Sequence, residues 1–431
     1  MSKVLIESPT VITLNDSQEI LSDTSIFIRD GEIVSLIPEN ENPPDADLVL
    51  EGKGRVALPG LVNCHTHAAM TLLRGYADDM ELLPWLQQKI WPVEGKLREE
   101  DVYWGTLLAI VEMIRSGVTC LNDMYFYFEA AEKACREADI RACISGVLLG
   151  ILPTAEADLE KAMHFLSERR ENGSQRIVHM IAPHAPYTCP DEMLKKVIAA
   201  AEKTGVGIHT HLSETKKEVE DSLAQHGETP IAHMEKLGMF AGPPVVAAHC
   251  VWATDEEIEI LAKRGVGVAH CPGSNMKLAS GAAPIAKMLA AGVPLGVATD
   301  GAASNNNLDV LEEARLAALL AKVTGCDPTA VKAYEALHMA TRGGAEALGL
   351  GDVIGQITPG RRGDIILLDL KRPHVWPPHD LVSHLVYAAR ASDVCTVLVE
   401  GRPLMIDGVL KTLDEERIMA EAAACAERLA G

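Results

Sequence analysis

The sequence predicts an α/β protein: a (β/α)8 barrel over residues 59–358, with a small discontinuous β-sandwich built from both chain ends, residues 1–58 and 359–431. Three observations carry this. Eight short apolar or β-branched runs recur through the middle of the chain, most of them followed by a segment of helical period, and eight such units close a barrel. Both ends instead alternate with period two around hairpin signals. An open doubly wound sheet would place a Gly-rich phosphate loop after its first strand, and the stretch from Pro59-Gly60-Leu61 to His67 contains no G-x-G-x-x-G.

In chain order, SIFIRDGEIVSLI comes first and sets Asp30-Gly31 between two alternating runs, which predicts a two-residue hairpin. The barrel runs are ALPGLVNCHTH, GVTCLNDMY, IRACISGVLL, RIVHMIAPH, VGIHTHLSE, VVAAHCVW, VGVAHCP and VPLGVATDG. Between them DVYWGTLLAIVEMIRSG, ADLEKAMHFLSERR, EMLKKVIAAAEKTG and DEEIEILAKRG predict helices, each ending in Gly or basic residues as helix C-termini prefer. Near the carboxyl end VCTVLVEGRPLMIDGVL repeats the hairpin pattern at Gly401 and at Asp407-Gly408, and LDEERIMAEAAACAERLAG predicts a closing amphipathic helix. Neither terminal piece is long enough for a core of its own, so the two are expected to fold together.

Composition narrows the function classes. The 431 residues carry 39 Lys+Arg against 61 Asp+Glu, a net charge of −22, which argues against a nucleic-acid or anionic-membrane surface. No run of about 18 apolar residues occurs, so no membrane span is expected. The ten cysteines form no C-x-x-C pair, and MSKVLIESPTVITLND lacks the apolar core of a signal peptide. A cytoplasmic protein is expected.

The ends of the eight runs carry the chemistry. Run one ends in His65 and His67, run four in His184, run five in His211 with Glu214 just beyond, run six in His249, run seven in His270 and run eight in Asp300. In a closed barrel the carboxyl ends of all strands converge on one mouth, and residues i and i+2 share a strand face. Imidazoles and a carboxylate gathered there suit one divalent metal, with a position left for water whose pKa the ion lowers toward about 7. His65, His67, His211 and Asp300 form the expected ligand set. Glu214 is placed to shuttle protons, and His249 to act on the same water together with Asp300. His209 is expected to be a satisfied interior histidine, His270 to shape a loop or face the mouth, and Asp123 to form a local turn or face the mouth. His164, His226, His233, His338, His374, His379 and His384 are expected to be structural or solvated.

LPGLVNCHTHAAM, IAPHAPYTC, HTHLSET, AAHCVW, HCPGSNMKLASG and GVATDGAASNN resemble the metal-dependent amidohydrolase superfamily, and within it the 5-methylthioadenosine/S-adenosylhomocysteine deaminases. The resemblance runs over essentially the whole chain. It implies a distorted TIM-type barrel and one metal ion, normally zinc, held by His65, His67, His211 and Asp300. Glu214, His249 and Asp300 would then handle protons. The binuclear branch carries a carboxylated lysine at the end of strand four, where this chain has His184. Trp91-Pro92-Val93-Glu94 is similar to the family's ribose-binding motif, which makes Glu94 a candidate diol acceptor and His184 a second substrate contact, alongside Glu214 and Asp300.

The activity implied is hydrolytic deamination of an adenine nucleoside to the inosine analogue and ammonia, with 5′-methylthioadenosine first, then adenosine, and S-adenosylhomocysteine left open. The segment after strand three, SGVLLGILPTAEADLEK, contains no arginine, whereas some family members hold the amino-acid tail of S-adenosylhomocysteine with arginines there. The alternatives are a relative acting on a guanine, cytosine or s-triazine ring, and a non-catalytic scaffold. Partners other than a small nucleoside are not implied, apart from copies of the chain in a homo-oligomer.

Overall fold

The fold is that of a computed structural model describing residues 2–172 and 176–431, with side chains described outside 167–175. Its centre is an eight-stranded parallel sheet wrapped into a nearly closed barrel. The strands, numbered one to eight here, are Leu61–Thr66, Val118–Tyr125, Arg141–Leu148, Ile177–Pro183, Gly207–Leu212, Val245–His249, Gly267–His270 and Leu295–Val297. All eight predicted runs are strands, and each pairs in parallel with its successor. Between strands eight and one the closure is made by the Asn63 side chain and one backbone hydrogen bond. Asn63 Nδ2 donates to Thr299 Oγ1 (2.8 Å), Asn63 Oδ1 accepts from the Thr299 amide (3.0 Å), and the Asp300 amide donates to the His65 carbonyl (3.0 Å). This seam is the distortion of the barrel, and it locks Asp300 beside His65.

The predicted helices are present as Glu99–Arg115, Ala155–Asn172, Asp191–Thr204 and Asp255–Arg264. In the last of these Thr254 accepts from the Glu257 amide and Glu257 reaches back to the Thr254 amide, a reciprocal cap that satisfies two orphan donors. Among the described residues no helix is long and apolar enough to cross a membrane.

Two further sheets come from the chain ends. Lys3–Glu7, Thr24–Arg29, Glu32–Pro38 and Leu48–Glu51 form one; Val56–Pro59, Ile365–Leu368, Val394–Val399 and Arg402–Ile406 contribute to the other. Their facing side chains, among them Val4, Ile26, Ile28, Ile365 and Leu398, share one buried core, so neither terminal piece is covered without the other. Asp30 (φ 53°) and Gly31 (φ 82°) make the left-handed turn that matches the strand twist. Arg141, which opens barrel strand three, pairs with Asp364 beside the second sheet (Nε to Oδ2, 2.8 Å), both side chains being 1% exposed. Removing either partner would strand a buried charge at a cost of about 3–5 kcal/mol, so the sandwich is pinned to the barrel floor. The closing helix, Glu415–Ala430, leaves the sandwich and lies along Glu99–Arg115, held by Arg115 to Glu415 and Arg428 to Asp101. Its apolar stripe is thus covered by a barrel helix.

Candidate metal centre

The carboxyl ends of strands one, five and eight bring His65, His67, His211 and Asp300 together. His65 Nε2 and His67 Nε2 each lie 3.4 Å from Asp300 Oδ1, and His67 Nε2 lies 3.3 Å from His211 Nε2. The opposite ring nitrogens are committed elsewhere. His67 Nδ1 donates to the Met124 carbonyl (2.6 Å) and His211 Nδ1 to the His184 carbonyl (2.6 Å), which leaves both Nε2 lone pairs facing each other. His65 Nδ1 meets His209 Nε2 at 2.8 Å, and His65 Nε2 is buried with no hydrogen-bond partner.

Converging lone pairs repel, so something positive belongs among them. A proton is a poor candidate. Burial above all pulls the His65 imidazole down to about 4 despite the neighbouring Asp300, and burial holds His211 well below its ordinary value. Asp300 stays ionised: burial opposes its charge, but the surrounding imidazoles, His65 first, hold it well below the carboxylate range. Its other oxygen, Oδ2, accepts from Ser274 Oγ (2.7 Å) and Ser304 Oγ (2.8 Å), which fixes the carboxylate plane. Neutral imidazoles with one carboxylate are the donor set that zinc and similar cations take. The residues fit a single divalent ion.

Glu214 and His249 flank this cluster. Glu214 is 4% exposed, and its carboxyl is raised mainly by burial. The Glu214 and Ser213 amides donate to Glu218 (2.7 and 2.9 Å), so the loop after strand five is held from beneath. His249 Nδ1 donates to Asn275 Oδ1 (2.9 Å), turning Nε2 toward Glu214 Oε2 at 3.9 Å. Burial works against a charge on His249, but Glu214 and Asp300 outweigh it and its pKa is raised. One nitrogen each of His65, His211 and His249 also lie within 4.8 Å of one another, so His249 borders the same point. His249 (φ 70°), Asp300 (φ 62°) and Ser213 (φ 50°) all have left-handed backbone at this mouth.

Above the cluster a cavity opens at the barrel mouth. His67, His184, His211, Glu214, His249 and Asp300 form its floor, and Trp85, Leu86, Trp91, Phe126, Val147 and Leu149 much of its wall. Glu94 lines it as well, at the end of the short helix Trp91–Glu94, with Oε1 buried and lacking a hydrogen-bond partner. Burial lifts the Glu94 carboxyl to about 6, with the Tyr125 hydroxyl and His67 pulling the other way. His184 is turned by its Nδ1 contact with Thr188 Oγ1 (3.0 Å). Among the described residues no lysine or arginine lines the cavity.

Every candidate named from the sequence lies at this mouth or just beneath it. Asp123 is not part of a turn. It sits inside strand two, where its carboxylate accepts from the Ala68 amide (2.7 Å) and fixes the segment after His67. His270 is buried with both ring nitrogens unpartnered. Tyr125, Ser274, Asn275, Ser304 and Glu218 escaped the sequence reading. Tyr125 ends strand two, a position that could have flagged it; Ser274 and Asn275 act on partners 26 residues away, which spacing does not reveal, while Ser304 and Glu218 lie four residues beyond Asp300 and Glu214, a helical spacing that could have flagged them.

Residues 56–404 match the amidohydrolase family. The chain is 49% identical, over 100% of both chains, to a 5-methylthioadenosine/S-adenosylhomocysteine deaminase of Desulforamulus reducens. It is 45% identical, over 100% of its own length and 99% of the relative's, to a 5′-deoxyadenosine deaminase of Methanosarcina mazei. Among solved structures, an adenosine deaminase from Xanthomonas campestris with bound zinc superposes with a TM-score of 0.95 at 38% identity, over 99% of this chain and 98% of that one.

Proposed function

Because the chain belongs to the amidohydrolase family, we propose that it is a metal-dependent hydrolytic deaminase of adenine nucleosides whose preferred substrates carry an uncharged 5′ group, such as 5′-methylthioadenosine. One observation carries the reading: a single cavity holds the metal-fit cluster with Glu214 at its floor and an enclosed carboxylate, Glu94, in its wall, with apolar side chains between. The overall reaction joins water to the ring carbon bearing the exocyclic amine and releases ammonia, leaving the 6-oxo purine nucleoside.

A divalent ion held by His65, His67, His211 and Asp300, zinc as in the Xanthomonas campestris structure, supplies Lewis-acid activation of water near neutral pH. The chain's own groups then move the protons. Glu214, with its raised pKa, accepts one proton of the attacking water and gives it to a ring nitrogen of the adenine. His249, oriented by Asn275, and Asp300 deal with the second, which departs on the amine. The carbon–oxygen bond forms first as the ring nitrogen takes its proton, leaving a tetrahedral ring carbon; the carbon–nitrogen bond then breaks as the protonated amine leaves as ammonia, and both water protons are accounted for.

Glu94 accepts two hydrogen bonds from the ribose diol, and His184 makes a second contact to the nucleoside. A carboxylate does this only while ionised. Since its pKa is raised to about 6, the advantage of a ribonucleoside over its 2′,3′-dideoxy analogue is full above that value and is lost as pH falls through it. The ratio of their kcat/KM values is expected to drop about tenfold between pH 7.5 and 5. Taking the ratio cancels effects of pH on the metal cluster, and a ratio that does not change with pH would remove Glu94 from the diol.

Among the described residues, the wall near Val147 and Leu149 offers no cation to an amino-acid carboxylate. 5′-Methylthioadenosine and 5′-deoxyadenosine are therefore expected to outrank S-adenosylhomocysteine by at least about tenfold in kcat/KM, the size of one unmade charge-assisted contact. Ultraviolet assay of the adenine-to-hypoxanthine spectral change across these substrates, adenosine and free adenine measures the rank. Equal turnover of free adenine would sink the nucleoside reading.

We take residues 1–58 with 359–431 as the sandwich unit and 59–358 as the catalytic barrel. Ten unbridged cysteines support a reducing, cytoplasmic setting.

A further inference from the structure

A second cluster of metal-ligating side chains lies in the outer helical layer, apart from the catalytic mouth. It forms where the first residue of Asp191–Thr204, the last residue of Lys216–His226 and the middle of Pro230–Leu237 meet. One donor atom each from Asp191, His226 and His233 lie within 4.8 Å of one another. The His226 and His233 rings stack with centroids 3.9 Å apart and planes 24° apart. His233 Nε2 is 2.9 Å from Asp191 Oδ1.

A hydrogen-bonded His–Asp tie between two helices would account for the 2.9 Å contact alone. Neither that tie nor an imidazolium held between Asp191 and Glu228 gives a role to His226, whose ring lies against His233 and whose donor atom is within 4.8 Å of the other two. His233 is 6% exposed, yet its Nδ1 has no hydrogen-bond partner. The nearest acceptor is Glu228 Oε2 at 3.7 Å, which is itself buried and without a hydrogen bond, the Lys236 ammonium being taken up by Oε1 at 2.8 Å. A carboxylate behind the far nitrogen of an imidazole whose near nitrogen faces other ligands is the arrangement that orients a metal-binding histidine.

We propose that Asp191, His226 and His233 form a second, non-catalytic site for a borderline divalent cation of the zinc class, with Glu228 orienting His233. Two imidazoles and one carboxylate select such an ion over calcium or magnesium, which prefer all-oxygen shells. The ion cross-links three helices. One of them, Lys216–His226, carries Glu218, which anchors the Glu214 loop, so the expected benefit is to thermal stability of that wall.

The test uses the full-length enzyme with its catalytic ion in place, equilibrated with micromolar zinc chloride, freed of excess and analysed by plasma mass spectrometry. Wild type is expected to hold two zinc ions per chain, and His226→Ala or Asp191→Asn one, with deaminase activity unchanged. Both replaced side chains are partly exposed, so the variants should fold. Added zinc should raise the melting temperature of the wild-type holoenzyme and not that of either variant. A wild type that retains one zinc, or variants that retain two, would overturn the assignment. Neither result bears on the catalytic site.

Discussion

Glu214→Gln is expected to lower kcat by about 10²–10⁴-fold, the range of a lost general acid–base group, while KM moves by no more than a few fold. Glutamine keeps the shape of the side chain but can neither accept the proton from water nor hand it to the purine. The surrounding loop should stay in place, because Glu218 holds the backbone amides of Ser213 and Glu214 and not the Glu214 carboxylate. Metal content is expected to be unchanged, since the converging atoms belong to His65, His67, His211 and Asp300. Steady-state deamination followed in the ultraviolet, with zinc measured on the same sample, separates the outcomes. A variant within tenfold of wild type would show that the proton travels by another route. A variant that has lost its zinc would instead make Glu214 part of the metal site. The equal lowering of kcat and kcat/KM is the signature of an interaction made in the transition state and not with the ground-state substrate.

Removing the metal should have the largest effect of all. Dialysis against a chelator is expected to bring turnover below about 1% of the starting value, and one equivalent of zinc to restore it. The geometry explains why no protein group can substitute. Burial disfavours a proton on His65 and on His211, and the committed Nδ1 atoms of His67 and His211 leave their Nε2 lone pairs opposed at 3.3 Å. An ion that binds only the folded chain also stabilises it, by about 4 kcal/mol when present at a thousand times its dissociation constant. The stripped protein should therefore melt at a lower temperature as well as being inactive. His67→Ala should behave as the stripped enzyme does and resist rescue by zinc. Full activity after verified metal loss would end the metal-dependent account.

The histidines were legible because a parallel barrel gives strand ends a shared meaning. His65 and His67 at the end of run one, His211 at the end of run five and Asp300 at the end of run eight needed only the count of eight to become neighbours. Other features had no such rule. That Asp123 caps the segment after His67 by accepting from the Ala68 amide, where a turn was equally compatible with the sequence, depends on the register of strand two against strand one. The closing helix was evident from its period. Its seat along Glu99–Arg115 was not, because an amphipathic stripe states that it must be covered and says nothing of what covers it.

The sequence by itself determined the strand count, the pairing of the two chain ends and the residue types that meet at the mouth, since local periodicity and turn chemistry act over a few residues and survive being read in one dimension. The tertiary structure alone decided the tautomers and the supports. Met124 and His184 contribute carbonyls that direct His67 and His211, Ser274 and Ser304 hold Asp300, Asn275 turns His249, and Glu218 steadies Glu214. The same holds for the stacked pair of His226 and His233, seven positions apart on successive helices. Apart from Ser304 and Glu218, each four residues from the group it holds, these supports join groups remote in the chain to within a few tenths of an ångström, and such distances exist only once the whole barrel has closed.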